Sequence, residues 1–324
     1  MRVIFMGTPE FAVPSLQTLL EYDGVEVVAV VTQPDRPVGR KRVLTPTPVK
    51  AEAEKHGIPV LQPERLRSPE SVDALSALQP ELIVTAAYGQ ILPKSVLDLP
   101  RLGCINIHAS LLPKYRGGGA DSLCGHERGS RYGRYDHVHG GRAGYREMIS
   151  RIEVPIGDQD TTGTMFEKLS IAGAKLLKET LPDLLSGRVR AVPQNDEEAV
   201  YSPNISREQE RIDWTKPALQ IWNLVRALHP RPGAFTLWNG DVLKIWTCAK
   251  PDTAESVPGS TLPGTVLEAG ERGIAVATGQ GVLRITELQP AGKKSNGCGR
   301  FRTRRAADPG HGAGHIGNGG LESK

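Results

Sequence analysis

Two polar residues inside a short apolar run suggest the chemistry of this chain. Asn106 and His108 alternate with two isoleucines, just before a turn that contains proline. Because side chains alternate across a β-strand, the isoleucines would enter a core while the amide and the imidazole share the opposite face. An amide that polarises a carbonyl oxygen, beside an imidazole that moves a proton, suits acyl-group chemistry. A purely structural role for either residue is the simpler alternative.

The sequence around Asn106 and His108 predicts an α/β sheet. The apolar runs Leu82 to Ala87 and Cys104 to His108 each precede a turn with Gly or Pro, as buried parallel strands do. A strand at Arg2 to Gly7, a helix at Phe11 to Leu20 and a strand at Val25 to Thr32 predict a βαβ start. Ligands bind at the carboxyl ends of strands in such sheets. Residues 7–12 lack the Gly-x-Gly-x-x-Gly turn of a dinucleotide site, which argues against a nicotinamide cofactor.

Length and composition narrow the class of protein. The 324 residues favour two domains, and 39% hydrophobic with 5% aromatic residues is typical of a globular protein. A net charge of +4 is compatible with a local basic patch but not with a general electrostatic binder. The four cysteines have no metal or disulfide spacing, and no membrane span or signal peptide is evident. We therefore expect a cytoplasmic monomer without a metal.

Two motifs resemble a known family. Residues 106–113, Asn-Ile-His-Ala-Ser-Leu-Leu-Pro, and residues 87–93, Ala-Tyr-Gly-Gln-Ile-Leu-Pro, are closely similar to the folate-dependent formyltransferases. The similarity runs from residue 1 to about 116 and again from about 148 to 294. It implies an α/β fold, with a Rossmann-like, mostly parallel sheet domain followed by a small OB-like β-barrel domain. It also implies formyl transfer from 10-formyltetrahydrofolate to the amine of initiator methionyl-tRNA, with Asn106 and His108 as catalytic residues.

The same resemblance implies a folate site beside the two strand ends. A flat heteroaromatic ring could lie between the loop at 87–93 and the turn at 110–113, and the family places the pterin there. The residues expected to contact folate are Tyr88, Gly89, Ile91, Leu92, Ser110, Leu111, Leu112 and Pro113.

A Pro-rich segment at 33–48 carries four cations within seven residues. They are Arg36, Arg40, Lys41 and Arg42. Long loops with their own charge pattern are functional or simply solvated, and composition alone does not separate these cases. The resemblance implies contact with the tRNA acceptor arm, in which Arg40 is the important residue, and cations suffice for binding phosphate.

The domain bounds follow from composition and turn signals. We predict a catalytic domain at 1–187, a Pro-bearing and acidic linker at 188–207, and a second domain at 208–294. In the last of these, five short alternating runs separated by tight turns favour a small barrel of the OB type, a fold that often binds nucleic acid.

Two segments, at about 118–147 and 295–324, break the pattern. They are rich in Gly and Arg and have no helical or strand period. Permitted codons for residues 136–146, shifted by one base, read Ile-Met-Tyr-Met-Val-Glu-Gly-Leu-Asp-Thr-Gly, which contains the family's Leu-Asp-x-Gly motif. The same shift applied to residues 296–304 yields a segment that resembles the family's closing segment. We therefore interpret both segments as frame-shifted, and predict a non-native, disordered tail at 295–324. A natural basic, Gly-rich tail that binds RNA is the alternative for the second segment. A metal site at His137 and His139 is the weaker interpretation of the first.

The frame shift has a chemical consequence. The family's third catalytic group is the Asp of that motif, but the aligned position holds Gly144, and the nearest acids are Asp136 and Glu147. Two alternatives to the methionyl-tRNA enzyme stay open. One is a catalytically impaired chain that binds folate and tRNA, and the other is a formyltransferase for a small amine. A small substrate would need neither the basic segment nor the second domain.

Overall fold

The computed structural model describes residues 1–39, 41–110, 134–136, 147–199, 204–252, 255–293, 295–297 and 316. The chain divides into two compact units. Of the described residues, the first unit takes 1–110, 134–136, 147–155 and 166–199, and the second takes 156–165, 204–252, 255–293, 295–297 and 316. In the part of the chain that the structure describes, no helix is long and apolar enough to cross a membrane.

A parallel sheet forms the centre of the first unit. The elements up to its last strand are, in chain order, β1 (Arg2–Gly7), α1 (Val13–Leu20), β2 (Glu26–Val31), β3 (Arg36–Val38), β4 (Val43–Thr45), α2 (Pro48–Lys55), β5 (Val60–Leu61), α3 (Pro69–Ala77), β6 (Leu82–Ala86), α4 (Lys94–Leu97) and β7 (Cys104–Ile107). The strand order is β5-β2-β1-β6-β7, and every pairing in this sheet is parallel. The predicted mostly parallel, Rossmann-like sheet is confirmed.

Local sequence explains where these elements begin. The Thr47 and Ser68 hydroxyls accept hydrogen bonds from backbone N–H groups three residues on, and a proline follows each at the first turn of α2 and α3. The strands β1, β2 and β6 are almost wholly apolar and buried, as expected of parallel strands covered on both faces. One face of the sheet packs into a cluster that includes Ile4, Met6, Val31, Leu66, Leu75 and Ile83.

The rest of the first unit adds short pairings and a long helix. Its further elements are β8 (Arg134–Asp136), β9 (Glu147–Met148), β10 (Glu153–Pro155), α5 (Thr162–Leu185, of which the residues from Phe166 belong to this unit) and β11 (Val192–Pro193). β8 pairs with β10, and β9 pairs with β11. Thus the stretch predicted as linker, 188–207, contains a strand of the first unit. Of the irregular segment at 118–147, only residues 134–136 and 147 lie among the described residues.

The second unit is built on an antiparallel sheet. Its elements are α6 (Ala218–Ala227), β12 (Ala234–Trp238), β13 (Asp241–Cys248), β14 (Val266–Gly270), β15 (Gly273–Ala277), β16 (Val282–Pro290) and β17 (Asn296–Gly297). The main path runs β12-β13-β16-β15-β14, a Greek-key order in which β16 returns to lie beside β13. The five short strands and the tight turns between them were predicted, and their antiparallel sheet confirms the second half of the predicted fold class.

Two parts of the predicted tail are described. β17 pairs with β16, and Ile316 is buried in the core of the second unit, with its N–H 2.8 Å from the Gly264 carbonyl oxygen. The other residues of 295–324 lie outside the described part, so a disordered tail stays a prediction for them.

Candidate active site

The carboxyl ends of β6 and β7 lie side by side and bring the candidate residues together. In the parallel register Thr85 is the partner of Asn106, and Ala86 is the partner of Ile107. The loop at 87–93 therefore starts next to His108. This is the edge of an α/β sheet at which ligands bind.

A threonine on the neighbouring strand holds the Asn106 side chain. The Thr85 hydroxyl oxygen lies 2.8 Å from Asn106 Oδ1 and 3.1 Å from the Ile105 carbonyl oxygen. Thr85 is buried and Asn106 is half-buried. With its oxygen turned to Thr85, the amide presents its NH₂ group on the other side, where no described residue accepts from it. A donor fixed in this way can polarise a carbonyl oxygen.

A serine two residues on pairs with His108. Its hydroxyl oxygen lies 2.9 Å from His108 Nδ1, and Ser110 is fully buried. Burial lowers the pKa of His108 to about 4, even though the residue as a whole keeps a partly exposed surface. The imidazole is therefore neutral near pH 7 and carries one N–H and one nitrogen lone pair. It can accept a proton without first losing one.

The loop after β6 has a constrained backbone. Ala87 and Gly89 both have positive φ, 46° and 91°. The left-handed region is unfavourable for a residue with a Cβ, so the structure around Ala87 must enforce it. The Tyr88 carbonyl oxygen accepts from the Thr8 hydroxyl at 2.8 Å and from Gln33 Nε2 at 3.2 Å. The loop is thus tied to residues that follow β1 and β2.

The structure gives the predicted folate residues different environments. The Tyr88 ring is buried in the core, and burial raises the pKa of its hydroxyl to about 12. Its side chain is therefore not presented to a ligand. Gly89 is exposed, Ile91 is 92% exposed, and Leu92 packs on the core. Leu111, Leu112 and Pro113 lie outside the described residues.

The basic segment, expected to be a loop, forms a hairpin of β3 and β4. Three apolar side chains on it are strongly exposed: Val38 at 57%, Val43 at 59% and Leu44 at 64%. A short hairpin covers no core of its own, which explains why they stay in solvent. The segment has the exposed surface that a docking element needs.

The cations of the hairpin differ in their partners. Arg36 forms an exposed ion pair with Glu64 at 3.2 Å. Lys41 and Arg42 are exposed at the turn and have no acidic partner among the described residues. Arg42 has a φ of 48°. Arg40, the residue for which the resemblance implies the main role, lies outside the described residues.

A polar network anchors the base of the hairpin. Lys50 Nζ lies 2.7 Å from Asp35 Oδ2 and 2.9 Å from Gln62 Oε1, and Gln62 Nε2 donates to Asp35 Oδ1 at 2.7 Å. Hydrogen bonds from Lys50 and Gln62 lower the pKa of Asp35. The hairpin therefore has a fixed base and an exposed tip.

Most of the other candidate site residues lie outside the part of the chain that the structure describes. Gly144 and the three histidines of the irregular segment, His126, His137 and His139, lie outside the described residues. Asp136 lies on β8 and Glu147 begins β9. No group of three potential metal ligands occurs among the residues described. Cys104 and Cys248 form no disulfide within the described part of the chain, and the other two cysteines lie outside it.

Sequence reasoning missed three residues that organise this edge. Thr8 and Gln33 hold the loop after β6, and Thr85 holds the Asn106 amide. A signal existed for Thr85, because it is the one polar residue in the strand Leu82–Ala86. No comparable signal marked Thr8 or Gln33, since both lie in ordinary turn sequence.

Both units have matches among known proteins. A family described as formyl transferase matches residues 1–181, and one described as formyl transferase, C-terminal domain, matches residues 204–302. The methionyl-tRNA formyltransferase of Geobacillus thermodenitrificans (strain NG80-2) is 53% identical over 303 residues, which cover 93% of this chain and 93% of that protein. The enzyme of the same name from Bacillus subtilis (strain 168) is 52% identical over 297 residues, covering 90% and 91%.

A solved structure shares the fold at much lower identity. An N-formyltransferase from Helicobacter canadensis, in complex with folinic acid and dTDP-3-aminofucose, superimposes with a TM-score of 0.64 at 16% identity. The match covers 87% of this chain and 98% of that one. At this identity the likeness concerns the fold.

Proposed function

This chain belongs to the formyl transferase family, and we propose that it transfers a formyl group from 10-formyltetrahydrofolate to the amino group of initiator methionyl-tRNA. One observation carries the proposal. Asn106 and His108 lie together at the carboxyl edge of a parallel sheet, each with a hydroxyl partner. The chain in which they do so is 53% identical to a methionyl-tRNA formyltransferase over 93% of its length.

Asn106 has the geometry of an oxyanion donor. When the unprotonated amine attacks the formyl carbon, negative charge develops on the formyl oxygen. The Asn106 amide N–H donates a hydrogen bond to that oxygen, and the donor is already oriented before the reaction starts. One donor of this kind typically contributes a factor of about 100 to 1000 in rate.

His108 moves the proton. Its lowered pKa keeps the imidazole neutral, so its lone pair accepts a proton from the amine nitrogen as the new C–N bond forms. The same proton passes to N10 of the folate as the bond from the formyl carbon to N10 breaks. The products are the formylated amine and tetrahydrofolate. Atoms and charge balance, and no oxidant is needed.

A serine hydroxyl, not a carboxylate, is the partner of His108 among the described residues. A hydroxyl stabilises an imidazolium less than a carboxylate does, because it carries no charge. His108 is therefore a weak base in this chain. We expect turnover to be slower than in a relative with the family's Asp, because the aligned position here holds Gly144.

The other features support recognition of the two substrates. The loop at 87–93 offers folate a constrained backbone edge beside Asn106, and Ser110, the partner of His108, follows the neighbouring strand. The hairpin of β3 and β4 offers tRNA exposed cations on a fixed base. We further propose that the protein works as a monomer in the cytoplasm and that no metal takes part.

Single-turnover formyl transfer tests the proposal. The purified chain, in excess, is given 10-formyltetrahydrofolate with a ¹⁴C-labelled formyl group and one of three acceptors: initiator methionyl-tRNA, free methionine or an amino-sugar nucleotide. Label should appear on methionyl-tRNA alone. Transfer only to the amino sugar would overturn the proposed acceptor. Donor binding without transfer to any acceptor would favour a non-catalytic folate and tRNA binder.

A further inference from the structure

We propose that Thr85 is a positioning residue, whose hydroxyl decides which end of the Asn106 amide faces the reacting formyl group. The inference rests on the proposed function and adds a residue to it. Thr85 belongs to a different strand from Asn106 and touches none of the groups that react. It acts through Asn106 alone.

The contact is made across the sheet. Thr85 and Asn106 are register partners on β6 and β7, and the two side chains meet at 2.8 Å. This is the usual distance for a hydrogen bond from a hydroxyl to an oxygen. The Ile105 carbonyl oxygen is farther from the hydroxyl, at 3.1 Å, so Asn106 Oδ1 is the nearer acceptor.

An amide needs such a partner because its two ends have nearly the same shape. Rotation by 180° exchanges oxygen and NH₂ at little steric cost, so only hydrogen bonds select one orientation. If the oxygen faced the substrate, its lone pairs would repel the developing oxyanion. If the NH₂ group faces the substrate, it donates to that oxyanion. The Thr85 hydroxyl has a single proton; the shorter contact gives that proton to Asn106 Oδ1, and this donation selects the second orientation.

Burial makes the selection strong. Thr85 is 5% exposed, so water does not replace its hydroxyl in the contact. A hydrogen bond away from water is lost in full when one partner is removed. Without the Thr85 hydroxyl, Asn106 would sample both orientations, and only a fraction of the molecules would be competent at any moment.

The first test uses replacements of Thr85 in the full chain. Thr85→Val keeps the shape of the side chain and removes the hydroxyl, and Thr85→Ser restores the hydroxyl. We expect Thr85→Val to slow single-turnover transfer by about ten-fold. This is a smaller loss of rate than we expect from removing the Asn106 amide. Thr85→Ser should recover most of that rate, and the Kd for the formyl donor should not change in either. If Thr85→Val does not fold, Thr85→Ala removes the same hydroxyl.

A double-mutant cycle separates positioning from general support. If Thr85 acts through Asn106, the double variant Thr85→Val with Asn106→Ala should be no slower than Asn106→Ala alone. If Thr85 merely supports the fold, the two losses should multiply. A multiplied loss, or a Thr85→Val enzyme as fast as the unmodified one, would overturn the inference.

A matched control lies at the end of β2, in the same parallel sheet. Thr32 follows β2, is fully buried, and makes a hydroxyl contact with Thr47 at 2.8 Å. Thr32→Val removes a similar hydrogen bond that does not involve Asn106. It should lower the free energy of unfolding about as much as Thr85→Val does, and leave the transfer rate unchanged.

Infrared spectroscopy of the bound donor gives a readout without turnover. With a ¹³C-formyl donor and no acceptor, the C=O stretch reports how strongly Asn106 polarises the formyl group. The stretch should move back toward its solution frequency in Thr85→Val and stay shifted in Thr85→Ser. If the unmodified chain binds no donor, the proposed function itself fails. If the chain binds and transfers but Thr85→Val leaves rate and stretch unchanged, only the inference about Thr85 fails.

Discussion

The strand edge with Asn106 and the hairpin of β3 and β4 hold their polar side chains in two different ways. At the strand edge each functional side chain has a buried hydroxyl partner, Thr85 for Asn106 and Ser110 for His108. On the hairpin, Lys41 and Arg42 extend into solvent without an acidic partner among the described residues. Only the base of the hairpin, at Asp35, is fixed by a network.

The difference reflects what each contact must achieve. Stabilising a developing oxyanion requires a donor oriented before the reaction. Reorienting the donor during the reaction would cost free energy and offset the stabilisation of the oxyanion. Attraction to phosphate depends mainly on charge, and a mobile cation at a tip is sufficient. Changes at the edge should therefore affect rate, and changes at the hairpin should affect tRNA affinity.

The largest effect is expected at Asn106. Asn106→Ala removes the proposed oxyanion donor and should slow single-turnover transfer by about 100-fold to 1000-fold, with the Kd for the formyl donor little changed. Stopped-flow or quench-flow measurement of labelled product gives the rate. Intact activity in this variant would show that Asn106 has only a structural role and would remove the contrast with the hairpin.

The next effect concerns the pH dependence of stability. His108 has a pKa of about 4 in the folded chain against 6.5 as the ordinary value. Between these pH values the unfolded chain binds a proton that the folded chain does not, so the free energy of unfolding falls as the pH falls from about 6.5 to about 4. The loss is at most about 3 kcal/mol, less any screening by solvent at the partly exposed ring.

Urea unfolding at a series of pH values measures this loss. His108→Gln should abolish the part of the fall that belongs to the imidazole, whereas Asn106→Gln, two residues earlier, should keep it. If the free energy of unfolding of His108→Gln depends on pH as that of the unmodified chain does, the imidazole is freely protonated in the folded chain.

The smallest effect is expected at the tip of the hairpin. Lys41→Gln and Arg42→Asn each remove one cation, and asparagine suits the positive φ of residue 42. Each should weaken tRNA binding and lower the slope of log Kd against log salt by about one. Transfer to tRNA-bound methionine at saturation, and the Kd for the formyl donor, should not change. Filter binding at several salt concentrations provides the test.

Arg36 is the matched control within the same hairpin. Its guanidinium is already paired with Glu64, so Arg36→Gln should change the salt slope less than Lys41→Gln does. Glu64→Gln should free Arg36 and strengthen tRNA binding slightly. If Lys41→Gln, Arg42→Asn and Arg36→Gln all have the salt slope of the unmodified chain, the hairpin is excluded as the tRNA contact.

Local sequence patterns were enough to predict most elements. The bounds of β1 agree with the strand predicted at Arg2 to Gly7, because a buried strand is apolar at nearly every position. The predicted helix at 11–20 appears as a 3₁₀ turn at Glu10–Ala12 followed by α1. The hairpin was missed because its strands are three residues long and exposed, and so have no alternating burial.

Alternation along a single strand was enough to predict that the Asn106 amide and the His108 imidazole share one face, and in the structure β7 ends at Ile107, directly before His108. Only the tertiary structure decided what holds them. Thr85 and Asn106 are 21 residues apart, and Gln33 and Tyr88 are 55 apart. Whether such residues meet depends on strand order and on the register between parallel strands. The packing of the whole sheet sets both, and no local pattern encodes them.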